Sequence, residues 1–257
     1  MANRDFSKPF SGLDAELLFP GALSRGAKDA RGKKSVKRVQ EWLTHHNQAV
    51  SIDGEFGPAT EAALRAFQAR ELLPATGTVD EATWAALVAP LRRATAPLAL
   101  PPEATYGEVA AAYARQFVAE GPREIGGDNC GPWVRVTMLG NDGSIWQWCA
   151  GTAAFFLALA TRHTGKPIPF RMSFGVPDLV RYAKPLGRFY EKGPAQVGDL
   201  FVVPKGNSFS HVGIVLAWNG ETITTAEGNT NGAGSANGNV ARTATRASAK
   251  MRYLRVS

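Results

Sequence analysis

Between residues 90 and 104 the chain carries four prolines in the string PLRRATAPLALPPEA. Proline lacks the N–H that a helix ladder needs and biases its predecessor away from helical dihedrals, so this string is expected to interrupt any helix. Upstream of it, apolar residues recur at helical spacing; downstream, after one further helix, β-branched runs appear. Two domains follow from that change of period, and 257 residues are enough for both. The expected division is an N-terminal extension over 1–25, a helical domain over 26–90, a Pro-rich linker over 91–104 and a second domain over 105–257.

Composition narrows the partners. The 29 basic against 22 acidic residues give a formal charge of +7, which favours anionic partners. No nucleic-acid-binding motif accompanies that charge, so no nucleic acid is expected. From Asn229 onward the chain holds Arg242, Arg246, Lys250, Arg252 and Arg255 with no acid, read as a solvated strand face or tail. No apolar run approaches the roughly 18 residues of a membrane helix, and no membrane insertion is expected. The stretch Leu17–Leu23 is broken by Pro20-Gly21 and preceded by Asp14 and Glu16, a poor secretory core, so no cleaved signal peptide is expected. A chain of this kind would be made in the cytoplasm and reach an extracytoplasmic target by release or injection. Two cysteines leave one possible bridge or one reactive thiol.

The first domain reads as three short helices. Ser35 is an acceptable N-cap for a helix with Val36, Val39, Trp42 and Leu43 inward. A turn-rich loop, Ile52-Asp53-Gly54-Glu55-Phe56-Gly57-Pro58, leads to a second helix capped by Thr60 and presenting Ala63, Leu64 and Phe67. A second loop, Pro74–Asp80, leads to a third with Trp84 and Leu87 inward. His45 and His46 are adjacent, cannot share a helix face as ligands, and read as surface residues.

The order Val-x-x-Val-Gln-x-x-Leu, Asp-Gly-x-Phe-Gly-Pro-x-Thr, Leu-x-x-Phe-Gln, Thr-Gly-x-Val-Asp-x-x-Thr-Trp-x-x-Leu resembles the peptidoglycan-binding domain of wall hydrolases. That resemblance implies a three-helix module that docks on wall glycopeptide and does no chemistry. Asp53, Gly54, Phe56, Gly57 and Thr60 would hold the loop beside the binding face.

In the second domain Thr105–Glu120 is expected to be helical, with Val109, Ala112, Tyr113, Phe117 and Val118 in one stripe. The run AGTAAFFLAL over Ala150–Leu159 reads as a fully buried helix. The β-branched runs at 199–203, 211–216 and 222–226 read as consecutive antiparallel strands. A buried helix on such a sheet is an α+β architecture.

Cys149 stands at the start of the buried helix, where free N–H groups and the dipole favour a thiolate, the nucleophilic form. His211 begins a strand after Asn207–Ser210 and can project into a cleft there as general base. Glu227 and Asn229 end the next strand, where an antiparallel return brings polar side chains near His211. His163, ahead of Gly165, reads as a helix-ending residue.

These residues, as Trp-Cys-Ala before an apolar helix, Gly198-Asp199, Ser210-His211-Val212-Gly213 and Glu-x-Asn, resemble the CHAP family of cysteine- and histidine-dependent amidohydrolases and peptidases. Asn129-Cys130-Gly131-Pro132 also looks like a segment of its phage-type members. The resemblance spans roughly 105–250 and implies a papain-like domain in which Cys149 is nucleophile, His211 base, Glu227 the orienting acid and Asn229 an auxiliary polar residue. It implies a peptidoglycan hydrolase cutting a wall-peptide amide. No Asp-rich loop is present, so no metal and no cofactor are expected. The Gly/Asn-rich Thr230–Asn239 reads as a loop over the cleft or a plain surface turn. Two settings fit: a phage endolysin, which is favoured, and an antibacterial effector with an immunity protein as partner. A non-catalytic wall-binding protein with Cys130 bridged to Cys149 is the competing class.

Overall fold

The computed structural model describes residues 4–231 and 237–257; residues 232–236, within the Gly/Asn-rich segment, lie outside the described residues. The architecture is α+β. The N-terminal half is helical, with α1 (Ser11–Leu17), α2 (Ser35–His45), α3 (Pro58–Arg70), α4 (Glu81–Leu87) and α5 (Ala89–Thr95). Then come α6 (Tyr106–Ala119), α7 (Pro132–Thr137), α8 (Cys149–Thr164) and α9 (Val176–Ala183). The strands are β1 (Phe189–Tyr190), β2 (Leu200–Lys205), β3 (Ser208–Trp218), β4 (Thr222–Thr230), β5 (Val240–Ala247) and β6 (Arg252–Leu254). They form one antiparallel sheet in the order β1-β6-β2-β3-β4-β5.

Every residue from Cys149 to Ala160 is buried, so α8 is the axis on which α6 and the sheet pack. Thr105 and Glu108 close a capping box at the start of α6, and Gly165 ends α8 in the left-handed region with φ 70°. His163 lies in the last turn of α8 and meets the Tyr113 hydroxyl at 3.3 Å.

Three local expectations need correction. Helix α2 is not capped by Ser35, its first residue; the Asp29 carboxylate instead accepts from the N–H groups of Val36 at 2.7 Å and Lys37 at 3.0 Å. Thr60 lies inside α3, whose cap is Gly57, and its hydroxyl accepts from the Gln40 amide at 3.2 Å. The Pro-rich string is helical over Ala89–Thr95, because Pro90 sits in the first turn of α5, where its missing N–H costs nothing.

The helical module contains two copies of one device. Gln40 accepts from the Gly54 N–H at 2.9 Å and donates to Asp53 and Thr60. Gln68 accepts from the Gly77 N–H at 2.9 Å and donates to Thr76 and Thr83. Each buried glutamine thus pins one loop to the following helix.

The two halves share a single continuous apolar core. Trp42 of α2 meets Trp133 of α7 edge-on at 5.9 Å, and Trp133 meets Phe117 of α6 at 5.1 Å. His45 accepts from the Trp133 indole at 3.3 Å, and His46 bonds the Leu87 carbonyl at 2.9 Å. Both histidines are half-buried, correcting the surface reading. Burial, with the neighbouring His46, Arg123 and Arg93 charges, holds His45 down to about 3.

Arg135 on α7 is the polar centre of that junction. It is 4% exposed and pairs with Glu16 of α1 at 2.6 Å, with Glu41 of α2, and with Asp142 at 2.7 Å. Burial pushes the Glu41 carboxyl up, against the pull of Arg135. A Cβ on Gly12 of α1 would overlap the Arg135 carbonyl, so the extension fits closely against α7. Removing one member of a buried ion cluster leaves uncompensated charge, typically at a cost of ~3–5 kcal/mol. Arg135→Met should therefore lower stability by about that amount in urea unfolding. A chain beginning at Pro101 strands Arg135 without Glu16 and Glu41 and should lose its cooperative unfolding transition. A fully stable truncated protein would show that the junction is dispensable.

Candidate active site

Cys149 is placed by the N-terminus of α8. Its neighbour Trp148 is fully buried, and the indole donates to Glu124 at 2.9 Å, anchoring the chain as it enters the helix. Gly151 faces α7 so closely that a Cβ would overlap Met138 Sδ and lie 2.6 Å from the Thr137 carbonyl. On the other side Gly228 of β4 abuts Thr152, again with no room for a Cβ. The first turn of α8 is therefore clamped between α7 and the sheet. Its first N–H groups have no intrahelical acceptor.

His211 lies on β3, paired with Val203 of β2 beside a bulge between Val203 and Pro204. Two residues on, a Cβ at Gly213 would lie 2.7 Å from the Ala226 carbonyl and 2.9 Å from Glu227, so glycine is what lets β4 approach. The His211 Nε2–H donates to Glu227 Oε2 at 2.9 Å with both side chains fully buried. Nε2 is taken by Glu227, Nδ1 has no hydrogen-bond partner among the described residues, and Cys149 lies near enough to the imidazole to help raise its pKa.

Glu227 accepts from four directions. Besides His211, Thr225 donates to Oε1 at 2.6 Å, and Arg246 of β5 donates from Nε to Oε1 at 2.6 Å and from a terminal nitrogen to Oε2 at 2.5 Å. The Arg246 guanidinium also lies 5.2 Å from the centre of the Phe201 ring, which neighbours His211. Burial pushes the Glu227 carboxyl up, but Arg246, His211 and Thr225 outweigh it and bring it to about 2. Burial likewise pulls His211 down, and Cys149 and Glu227 outweigh that, raising it to about 9.

The structure thus brings Cys149, His211 and Glu227 together. Asn229 is close by on β4 but does not join them. It is fully buried with φ 54°, its carbonyl accepts from Gly238 at 3.0 Å, and its side-chain amide has no hydrogen-bond partner. Arg246 was read from the sequence only as part of a basic tail. The available signal was its place on the face that Glu227 shares with Ile223 and Thr225, visible once β4 and β5 are paired. Asp199 is scaffold: it accepts from the Tyr190 hydroxyl and from the Gln196 N–H at 2.9 Å and pairs with Arg255 at 3.2 Å.

Both cysteines are free thiols, Cys130 half-buried and Cys149 buried. Burial, followed by the nearby Asp142 charge, pushes the Cys130 thiol up, which disfavours its thiolate. Among the described residues no group of three or more His, Cys, Asp or Glu could hold a metal ion. No described helix is long and apolar enough to cross a membrane.

In the helical module Asp53 and Gly54 line an open groove of about 430 Å³ with Lys28, Lys33, Lys34 and Lys37. Phe56 and Thr60 are buried beneath it, and Gly57 caps α3.

Comparison with known families agrees with this layout. Residues 32–87 match the model of a putative peptidoglycan binding domain, and residues 121–229 match that of the CHAP domain. A search of curated proteins finds no match to the chain. The two domains together support a peptidoglycan hydrolase acting on the cell wall, with peptidoglycan as partner. Arg246 lies beyond the matched CHAP span.

Because Glu227 helps raise His211, Glu227→Gln should lower the imidazole's titration. A raised folded value means the proton is held up to about pH 9 and lost as pH rises through it. In the parent, the pH profile of Cys149 alkylation by iodoacetamide should therefore change near 9. In Glu227→Gln that step should move to lower pH, and an unmoved step would remove Glu227 from control of the imidazole.

Proposed function

The chain carries a peptidoglycan-binding domain followed by a CHAP domain, and from that premise we propose a wall-peptide amidase or endopeptidase working by a Cys149–His211–Glu227 thiol mechanism. The observation that carries it is the His211 ring held by Glu227 at 2.9 Å on Nε2, with Nδ1 unpartnered and Cys149 near the ring at a helix N-terminus. Free thiols at Cys130 and Cys149 weigh against the bridged, non-catalytic reading.

In this mechanism His211 takes the Cys149 proton as the substrate amide is engaged. The thiolate attacks the amide carbon, and its electron pair forms the S–C bond as the carbonyl oxygen becomes anionic. First-turn N–H groups of α8, including that of Cys149, are the donors nearest that oxygen. Collapse breaks the C–N bond, and the leaving amine takes the proton from His211. The imidazole, now neutral, takes a proton from water as the hydroxide adds to the thioester. Cys149 departs as thiolate beside the imidazolium, and the carboxylic acid product gives its proton to solvent. Glu227 remains ionised throughout, because Arg246 and Thr225 hold it in the charged form, and it stabilises the imidazolium.

The groove lined by Asp29, Asp53, Glu55 and the lysines at 28, 33, 34 and 37 is the surface proposed to meet the wall, its mixed charges suiting a polar glycopeptide. Asp53, Gly54, Phe56, Gly57 and Thr60 support that surface and do no chemistry. Asn229 is proposed as an auxiliary that shapes the end of β4.

Cys149→Ala and Cys149→Ser should abolish release of new amino groups from purified peptidoglycan, while the unfolding midpoint stays near the parent's. Cys130→Ser should keep most activity, and iodoacetamide should label Cys149 first. A Cys149→Ala protein that still hydrolysed walls would sink the mechanism.

A further inference from the structure

The sheet ends in an open edge beside a groove rich in arginine. β5 is the last strand and pairs only with β4. Its outer side is covered at the start alone, where the Ala241 N–H donates to the Pro122 carbonyl at 2.8 Å and the Asn239 carbonyl accepts from Glu124 at 2.8 Å. Gly121, at φ 64°, joins this short cover to the end of α6, so the cover reaches no further along β5. Backbone groups alternate sides along an antiparallel strand. Ala241 faces out, and Ser248, of the opposite parity, donates to Glu221 on the β4 side. Thr243, Thr245 and Ala247 therefore face out, and among the described residues no backbone group outside β4 pairs with them.

Between that edge and the last turn of α6 lies an open groove of about 700 Å³. Arg115, Arg123 and Arg242 line it, and no acidic side chain does. Each guanidinium donates to a carbonyl: Arg115 to Leu216 at 2.6 Å, Arg123 to Thr44 at 2.8 Å and Arg242 to Thr243 at 3.1 Å. Such contacts orient a guanidinium and leave its charge whole, unlike the pairing of Arg93 with Glu120 or of Arg135 with Glu16. Among the described residues none of the three meets a carboxylate. The groove is a fixed positive surface running up to an unpaired strand.

An exposed edge is a template for another strand, and charge selects which strand it takes. A second copy of this chain would bring a further charge of +7 and a second arginine-bearing edge to the same place. Like charges set opposite each other destabilise strand pairing. An acidic segment gains what a copy would lose. We propose that the open part of β5 and the arginine groove beside it form a docking surface for an extended, acidic segment of another protein, added to the sheet as a further strand. The main chain of that segment bonds the outward groups of Thr243, Thr245 and Ala247, and its carboxylates meet Arg242 and the groove. Cys149, His211 and Glu227 do not line the groove, so this surface is separate from the candidate active site.

The probe is a fluorescent peptide of about seven residues, a usual strand length, in which glutamates alternate with valines. Titrated into the full chain at low salt, it should bind and should slow hydrogen exchange at the Thr243 and Thr245 amides. Arg242→Glu, at an exposed side chain, should weaken binding by about 3- to 10-fold. The same peptide N-methylated at every internal residue keeps its charges but has no strand donors, and it should bind at least about 10-fold more weakly. Iodoacetamide should alkylate Cys149 at the same rate with the peptide bound. Absence of binding, unchanged exchange at both amides, or full affinity in Arg242→Glu would each overturn the proposal. Equal binding of the N-methylated peptide would overturn it in favour of charge alone, as for an anionic polysaccharide. Protection of Cys149 would also overturn it, by placing the peptide in the catalytic cleft.

Discussion

A carboxylate sealed from water inside the sheet sets the terms for the catalytic half. Glu227 is fully buried, and an ionised group in that position costs several kcal/mol unless its oxygens are paired. Thr225 on its own strand, Arg246 across β5 and His211 across β3 supply those partners. Meeting all three requires β3, β4 and β5 to be adjacent and in one register. The same bonds fix which imidazole nitrogen is left for the thiol. The reactive geometry is in this sense a consequence of satisfying one buried charge.

The glycines complete that geometry by permitting close approach. Gly213 lets β4 lie against β3 beside the imidazole, Gly228 admits Thr152, and Gly151 admits Met138. A methyl group at Gly228 would push α8 away from the sheet, one at Gly151 would push it away from α7, and one at Gly213 would part β3 from β4. Placement of the candidate site depends on backbone contacts as much as on its side chains.

The other buried charge, Arg135, has a different consequence. By pairing with Glu16 and Glu41 it joins the extension and α2 to α7, and the Trp42–Trp133–Phe117 contacts continue the junction into the core of the catalytic half. The groove and the thiol consequently stand on one packed body. Half-buried His45, kept neutral by desolvation, belongs to that joint rather than to a free surface.

Much of this was legible in residue order. The period of the apolar positions marked α2, α3, α4, α6 and α8, since a helix that buries one face must repeat at its own pitch. The β-branched runs marked β2, β3 and β4, and a thiol before an apolar helix followed by a strand histidine marked Cys149 and His211 as the candidate pair. Local chemistry sufficed there because each signal lies within one element. Residue order could not show which distant elements meet. Arg246 read as a tail charge until strand pairing set it against Glu227, 19 residues away in the chain. Asn229 read as an auxiliary polar residue near His211, and in the structure it is buried on β4 with its side-chain amide unpartnered. Glu16, Glu41 and Arg135 were unremarkable surface-type residues until packing buried them together, 94 to 119 positions apart. Desolvation and long-range register depend on the whole fold, and they set the histidine, the buried carboxylate and its arginine together inside one packed body.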